Sequence, residues 1–137
     1  MRHARLKVLL IGSGGREHAM AWKLAQSPKI TELLIAPGNA GTAEVGTNVN
    51  IGVDDYADIV EFATNENVDL VVVAPDQPIV DGLCDRLRSA GITTFGPSAA
   101  AARIEGSKIW SDDIMTKYAI PTAESVAFSN SGLAIEY

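Results

Sequence analysis

The sequence holds a single cysteine, Cys84, in 137 residues, which excludes an intrachain disulfide and any zinc site built on several thiolates. Histidine is almost as scarce. His3 and His18 are the only two, and neither has Asp, Glu or Cys at a metal-ligand spacing, so no protein-built metal site is expected. Positive charge is short as well: 11 Lys and Arg against 17 Asp and Glu give a formal charge of −6, whose field repels a nucleic-acid backbone and an anionic membrane. The basic start, residues 1–7, leads into an apolar run over 8–11 that falls below the roughly 7–15 residues of a signal peptide's core. No stretch approaches transmembrane length, and the cytosol is the expected location. G-x-S-x-G is absent, which removes the serine hydrolases that depend on it.

What is present fits one globular core, since 47% of residues are hydrophobic and 20% charged. Short apolar runs alternate with amphipathic stretches, the pattern of a parallel sheet with helices on its faces. Residues 7–11 and 70–74 are continuous runs suited to central strands buried on both sides, and 33–36, 49–51 and 93–95 are shorter strand candidates. The expected fold class is therefore α/β: a doubly wound, Rossmann-like parallel sheet of about five strands with helices on both faces. A first helix should open near Arg16 or Glu17 and run to Ala25. Tyr56, Ile59, Val60 and Ala63 fall at helical spacing, and Val80, Leu83, Cys84 and Leu87 repeat it, predicting a helix from near Asp81 that Gly91 closes. Cys84 then sits on an apolar face as a buried, inert thiol. Beyond Gly96-Pro97 the pattern changes to helical segments over 98–104 and 107–118, then a strand near 125–128. The apolar faces of this region, Trp110 among them, are expected to be exposed.

Four loops carry chemistry. Gly12-Ser13-Gly14-Gly15-Arg16-Glu17-His18 follows the first strand, where a glycine turn into a helix start brings bare N–H groups to an anion. A dinucleotide fingerprint needs a third glycine where Glu17 stands and a ribose-binding acid near Ala36-Pro37, so nicotinamide binding is a minor alternative. A tight turn without ligand is the other. Ala36-Pro37-Gly38-Asn39-Ala40-Gly41-Thr42 ends the second strand on the same rim, as a second wall of one pocket or a plain connection. Ala74-Pro75-Asp76-Gln77-Pro78 ends the long buried strand; Asp76 there could hold an amine or hydroxyls, or cap the following helix, and the cap is preferred. In Ile104-Glu105-Gly106-Ser107-Lys108, Ser107 can cap a helix and Lys108 is a candidate phosphate contact or a solvated lysine. It is not a P-loop.

Taken in order, Ile11-Gly-Ser-Gly-Gly-Arg-Glu-His18, residues 21–28, Ala36-Pro-Gly-Asn-Ala-Gly-Thr42, Phe95-Gly-Pro97, Glu105-Gly-Ser-Lys108 and Ile120-Pro-Thr-Ala123 resemble the opening of the phosphoribosylamine-glycine ligases, or glycinamide ribonucleotide synthetases. The resemblance implies an N-terminal pre-ATP-grasp domain over 1–104 and the truncated start of an ATP-grasp domain over 105–137. It implies a ligase of purine biosynthesis: ATP and glycine give glycyl phosphate, which the amine of 5-phosphoribosylamine attacks to form glycinamide ribonucleotide, ADP and phosphate. By the same resemblance Gly14, Gly15, Arg16, Glu17, Asn39, Gly41, Thr42 and Asp76 contact substrate and Lys108 contacts ATP. ATP with Mg²⁺ or Mn²⁺ belongs to lobes beyond Tyr137, so this chain alone is not expected to catalyse the reaction. Where the family usually reads Gly-Pro-Glu-Ala-Pro-Leu, residues 74–79 read Ala-Pro-Asp-Gln-Pro-Ile, with a carboxylate one methylene shorter. Other readings are a stand-alone sugar-phosphate-binding domain and an inactive truncation.

Overall fold

The computed structural model describes residues 5–137, so His3 and most of the basic start lie outside the described residues. Two compact units are present, residues 1–102 and 103–137. In the first, β1 (Leu6–Gly12), β2 (Ile30–Pro37), β3 (Thr47–Asn48), β4 (Leu70–Val73) and β5 (Thr94–Phe95) form one sheet in the order β3-β2-β1-β4-β5. Every pairing is parallel. The chain winds outward from β1 in both directions, so the doubly wound α/β expectation holds.

The period of two along β1 divides the core. Val8 and Leu10 face α1 (Gly15–Ala25), packing with Ala21, Leu33, Ile35 and Val72. Leu9 and Ile11 point the other way, into a cluster with Ile59 and Ala63 of α2 (Tyr56–Asn65) and Leu83, Cys84 and Leu87 of α4 (Leu83–Ser89). Both faces are covered, and for that reason the strand reads as an unbroken apolar run. Cys84 is fully buried and burial pushes its thiol pKa up, in keeping with an inert packing role.

Three local expectations are corrected. The third strand is Thr47–Asn48, paired to Leu34 and Ile35, rather than 49–51; Val49 and Ile51 pack against the core from the following segment. The helix expected from near Asp81 and closed by Gly91 is α4, which opens at Leu83 with Gly91 beyond it at φ +80°; Val80, however, belongs to a separate short helix before it, α3 (Asp76–Val80), and Gly82, at φ +88°, divides the two. That left-handed residue ends one helix and lets the next start at a new angle. Asp76 does not cap. Pro75 holds the N-cap position and Asp76 is the first helical residue, its side chain turned elsewhere. The two helical layers on this face are tied by Tyr56, whose hydroxyl donates to Asp81 Oδ2 at 2.7 Å while Gln77 Nε2 donates to Oδ1 at 2.9 Å.

α5 (Ala99–Gly106) spans the division between the units. In the second unit, Ser107 caps α6 (Lys108–Lys117) by accepting from the Trp110 N–H at 3.3 Å, as its position suggested. α7 (Ser131–Glu136) follows, capped by Asn130. No strand forms at 125–128, because this unit offers no neighbouring strand to take up the backbone groups. Trp110 is half-buried, with the Arg103 guanidinium 4.7 Å above its ring, so it departs from the expected exposure. Ile109, Tyr118, Ile120 and Ile135 do stand exposed.

Hydrogen exchange should therefore be slow at Val71, Val72 and Val73 and fast across 119–130; uniform protection would contradict this reading. A second outcome concerns Tyr56, whose phenol pKa is pushed up to about 12 by desolvation and by its bond to Asp81. The neutral phenol is favoured in the folded state, so its stabilisation is complete below the ordinary value of 10.0 and lost as pH rises towards 12. Urea unfolding at pH 9 and pH 11 should show a drop in stability that is smaller in Tyr56→Phe.

Candidate functional site

Parallel pairing puts the carboxyl ends of β1, β2 and β4 on one rim, and the strand order reverses at β1, where doubly wound sheets form a ligand crevice. The glycine loop after β1 lies between the loops after β2 and β4. Its first residue, Gly12, has φ +133°, a conformation side chains resist, and a Cβ there would meet Glu17 Cγ at 2.2 Å. Glycine is required on both counts.

Glu17 turns back on the loop: its Oε2 accepts from the Gly14 N–H at 2.7 Å, and the residue is only 6% exposed. Of the orphan donors at the start of α1, Gly14 is thereby satisfied, leaving the N–H groups of Gly15, Arg16 and Glu17 without intrahelical partners. These three, with the positive end of the helix dipole, are a ready cradle for an anion. The space beside Gly15 is open, with nothing within 4 Å of an added Cβ.

The β2 loop is fastened to this cradle. Asn39 Nδ2 donates to the Ser13 carbonyl at 2.8 Å and more weakly to Gly14 at 3.4 Å, while the Gly38 N–H donates to the Gly12 carbonyl at 3.1 Å. Asn39 is itself held: its Oδ1 accepts from the Thr42 N–H at 3.0 Å, and its own N–H donates to Thr42 Oγ1 at 2.7 Å. The Thr42 hydroxyl, fully buried, lies 2.7 Å from Asn48 Oδ1, and Asn48 Nδ2 donates to the Asn39 carbonyl at 2.8 Å. A Cβ at Gly41 would strike the His18 ring at 2.3 Å, so α1 and this loop approach closely there.

Across the reversal point, Arg16 reaches the β4 loop. Its guanidinium donates to the Ala74 carbonyl at 3.2 Å and stands 3.4 Å from Asp76 Oδ1. Both side chains are more than half exposed, so the pair is loose and screened, and either partner can turn to a ligand at little cost.

Residues 6–105 match the family described as phosphoribosylglycinamide synthetase, N domain. The chain belongs to that family. Similar curated proteins include the phosphoribosylamine–glycine ligases of Agrobacterium fabrum, 52% identical over 132 residues, and of Escherichia coli K12, 49% identical over 134. Each match covers 96% of this chain and 31% of the relative, so the chain spans about a third of their length. A solved ligase from Thermotoga maritima aligns with a TM-score of 0.64 at 33% identity, over 87% of this chain and 26% of that one. The biotin carboxylase domain of the Hydrogenobacter thermophilus 2-oxoglutarate carboxylase, at TM-score 0.70 and 15% identity over 98% of this chain and 32% of that one, shares the fold alone.

Within this N domain, Gly14, Gly15, Arg16, Glu17, Asn39, Gly41, Thr42 and Asp76 all sit on or directly behind the rim. Lys108 belongs to the other unit, exposed in the first turn of α6. Asn48 frames the loops without having been singled out by motif; its polar atoms matter only once β3 is folded against 38–42, while His18, the last residue of the glycine-loop motif, packs its ring beside Gly41. An apolar cavity of about 360 Å³ on the α1 face is lined by Met20, Leu24, Leu70, Val72 and Phe95, with Lys23 the one charged residue in its lining. It is not part of this site. Among the described residues no group of three or more His, Cys, Asp or Glu is placed to hold a metal ion.

Thermal unfolding separates the two glycine roles. Gly12→Ala should destabilise by about 1–3 kcal/mol or more through backbone strain and its collision with Glu17, whereas Gly15→Ala should stay within about 1 kcal/mol of the unaltered chain.

Proposed function

We propose that this chain supplies the phosphoribosylamine-binding rim of a phosphoribosylamine-glycine ligase. Residues 1–104 form its pre-ATP-grasp domain and 105–137 the opening of its ATP-grasp domain. The observation that carries the reading is the set of three unpaired N–H groups at the start of α1, placed at the strand-order reversal in a chain of this family. The sugar phosphate docks on the N–H groups of Gly15, Arg16 and Glu17, and Arg16 leaves Asp76 to pair with a phosphate oxygen. Asp76, once released, faces the same crevice and takes the amine or ribose hydroxyls.

In the full enzyme glycine's carboxylate attacks the γ-phosphate of ATP, giving glycyl phosphate and ADP. The amine of 5-phosphoribosylamine then attacks the acyl carbon and expels phosphate, forming the amide. Phosphorylation converts a poor leaving group into a good one. What this chain contributes is orientation: the phosphate anchors one end of the ribose and Asp76 fixes the other, which sets where the amine lies. ATP, with Mg²⁺ or Mn²⁺ to offset phosphoryl charge, is assigned to the part of the ligase beyond the matched length, and Lys108 reaches an ATP phosphate as that domain begins. The partners are small molecules, not nucleic acid or membrane; among the described residues no helix is long and apolar enough to cross one. The cytosol suits this reading.

Isothermal titration with ribose 5-phosphate, a stable stand-in for the labile amine, should give saturable heat. Gly15→Val, which fills the open space before the N–H groups without touching the loop, should weaken binding about tenfold or more at unchanged unfolding temperature. Absence of saturable heat in the unaltered chain would remove the sugar-phosphate site from this rim.

A further inference from the structure

The peptide unit joining Ser13 to Gly14 is held from both ends. Its carbonyl accepts from Asn39 Nδ2 at 2.8 Å and its N–H donates to Glu17 Oε2 at 2.7 Å. A trans peptide is planar with C=O and N–H antiparallel, so two partners on opposite edges fix the plane's rotation. The next peptide inherits that orientation. The Gly14 carbonyl accepts from the His18 N–H at 3.0 Å, along the helix, so the Gly15 N–H points out of the helix start.

Neither arm is free to turn to a ligand. Asn39 has its amide oxygen, its N–H and its carbonyl all engaged by Thr42 and Asn48. Glu17 is buried under the loop, and its negative charge would oppose a phosphate at contact distance. We infer that the side chains of Glu17 and Asn39 are positioning groups: together they pin the Ser13–Gly14 peptide and aim the Gly15 and Arg16 N–H groups at the phosphate, with Asn48 holding Asn39 in place, and none of these three side chains touches the ligand. This rests on the sugar-phosphate reading above for what is aimed at, but the pin itself is a property of the free protein.

Two readouts separate these. Amide exchange at Gly14 and Gly15, followed by NMR without ligand, reports the pin; titration with ribose 5-phosphate reports its use. Asn39→Ala and Glu17→Ala are each expected to speed Gly14 exchange about tenfold or more and to weaken ribose 5-phosphate by a comparable factor. Glu17→Gln keeps an acceptor oxygen without the charge and should restore both. Slow exchange at Val71–Val73 checks that each variant is folded, and Asn48→Ala, which loosens Asn39 from outside the rim, should move both readouts the same way. If Asn39→Ala weakened binding with Gly14 exchange unchanged, Asn39 would be a direct contact and the inference would fail. It would fail equally if Glu17→Gln were as damaging as Glu17→Ala, since the charge would then be acting on the ligand. Should the unaltered chain not bind ribose 5-phosphate, the functional reading falls, while Gly14 exchange in the variants still decides the pin.

Discussion

The site is anchored to the burial of β1 on both faces. Val8, Leu9, Leu10 and Ile11 are wholly inaccessible, alternating between two cores. A slip of one residue would exchange the two sets and place each in a pocket shaped for the other, so the register is fixed by apolar packing alone. β2 and β4 take their positions from that register, one on each side, with Pro37 ending level with Gly12 and Val73 level with Ile11. Three loops meet there as a geometric consequence, before any polar residue acts.

On the rim the useful distinction lies between polar groups already engaged and polar groups left over. Thr42, Asn39, Asn48 and Glu17 satisfy one another and the loop backbone, and among the described residues no buried side-chain nitrogen or oxygen lacks a partner. A closed network of this kind is rigid because every member loses a bond if any one moves. The leftover groups are main-chain N–H donors and one arginine on a loose tether. Rigidity and availability are divided between different atoms, which a catalytic scaffold needs if it is to orient a small substrate.

Much of this was legible in the sequence. Unbroken apolar runs at 7–11 and 70–74 gave central strands, and helical spacing located α2; six motifs in order, rather than any periodicity, pointed to the family. What escaped depends on relations between distant segments. Val80, Leu83, Cys84 and Leu87 keep helical spacing straight through Gly82, so periodicity does not reveal that this glycine adopts φ +88° and splits the helix. Val49 and Ile51 look more strand-like than Thr47 and Asn48, but pairing with Leu34 and Ile35 decides, and it picks the polar pair. Asp76 has the chemistry of a cap, yet Arg16, sixty positions earlier in the chain, draws its carboxylate away. Glu17, Asn39 and Thr42 were marked for the site by motif; only their hydrogen-bond partners show that they face the backbone.

The cradle of N–H groups also bears on how fast a ligand arrives. The chain carries a formal charge of −6, so the anionic sugar phosphate of the proposed reading would approach against a net repulsive field, with attraction from Arg16 and the N–H donors acting at short range. Added salt shortens the reach of that repulsion to about 8 Å at physiological ionic strength while leaving short, directed hydrogen bonds nearly intact. For the proposed sugar-phosphate ligand, association with this rim would therefore quicken as ionic strength rises, the reverse of an anion site built from clustered lysines.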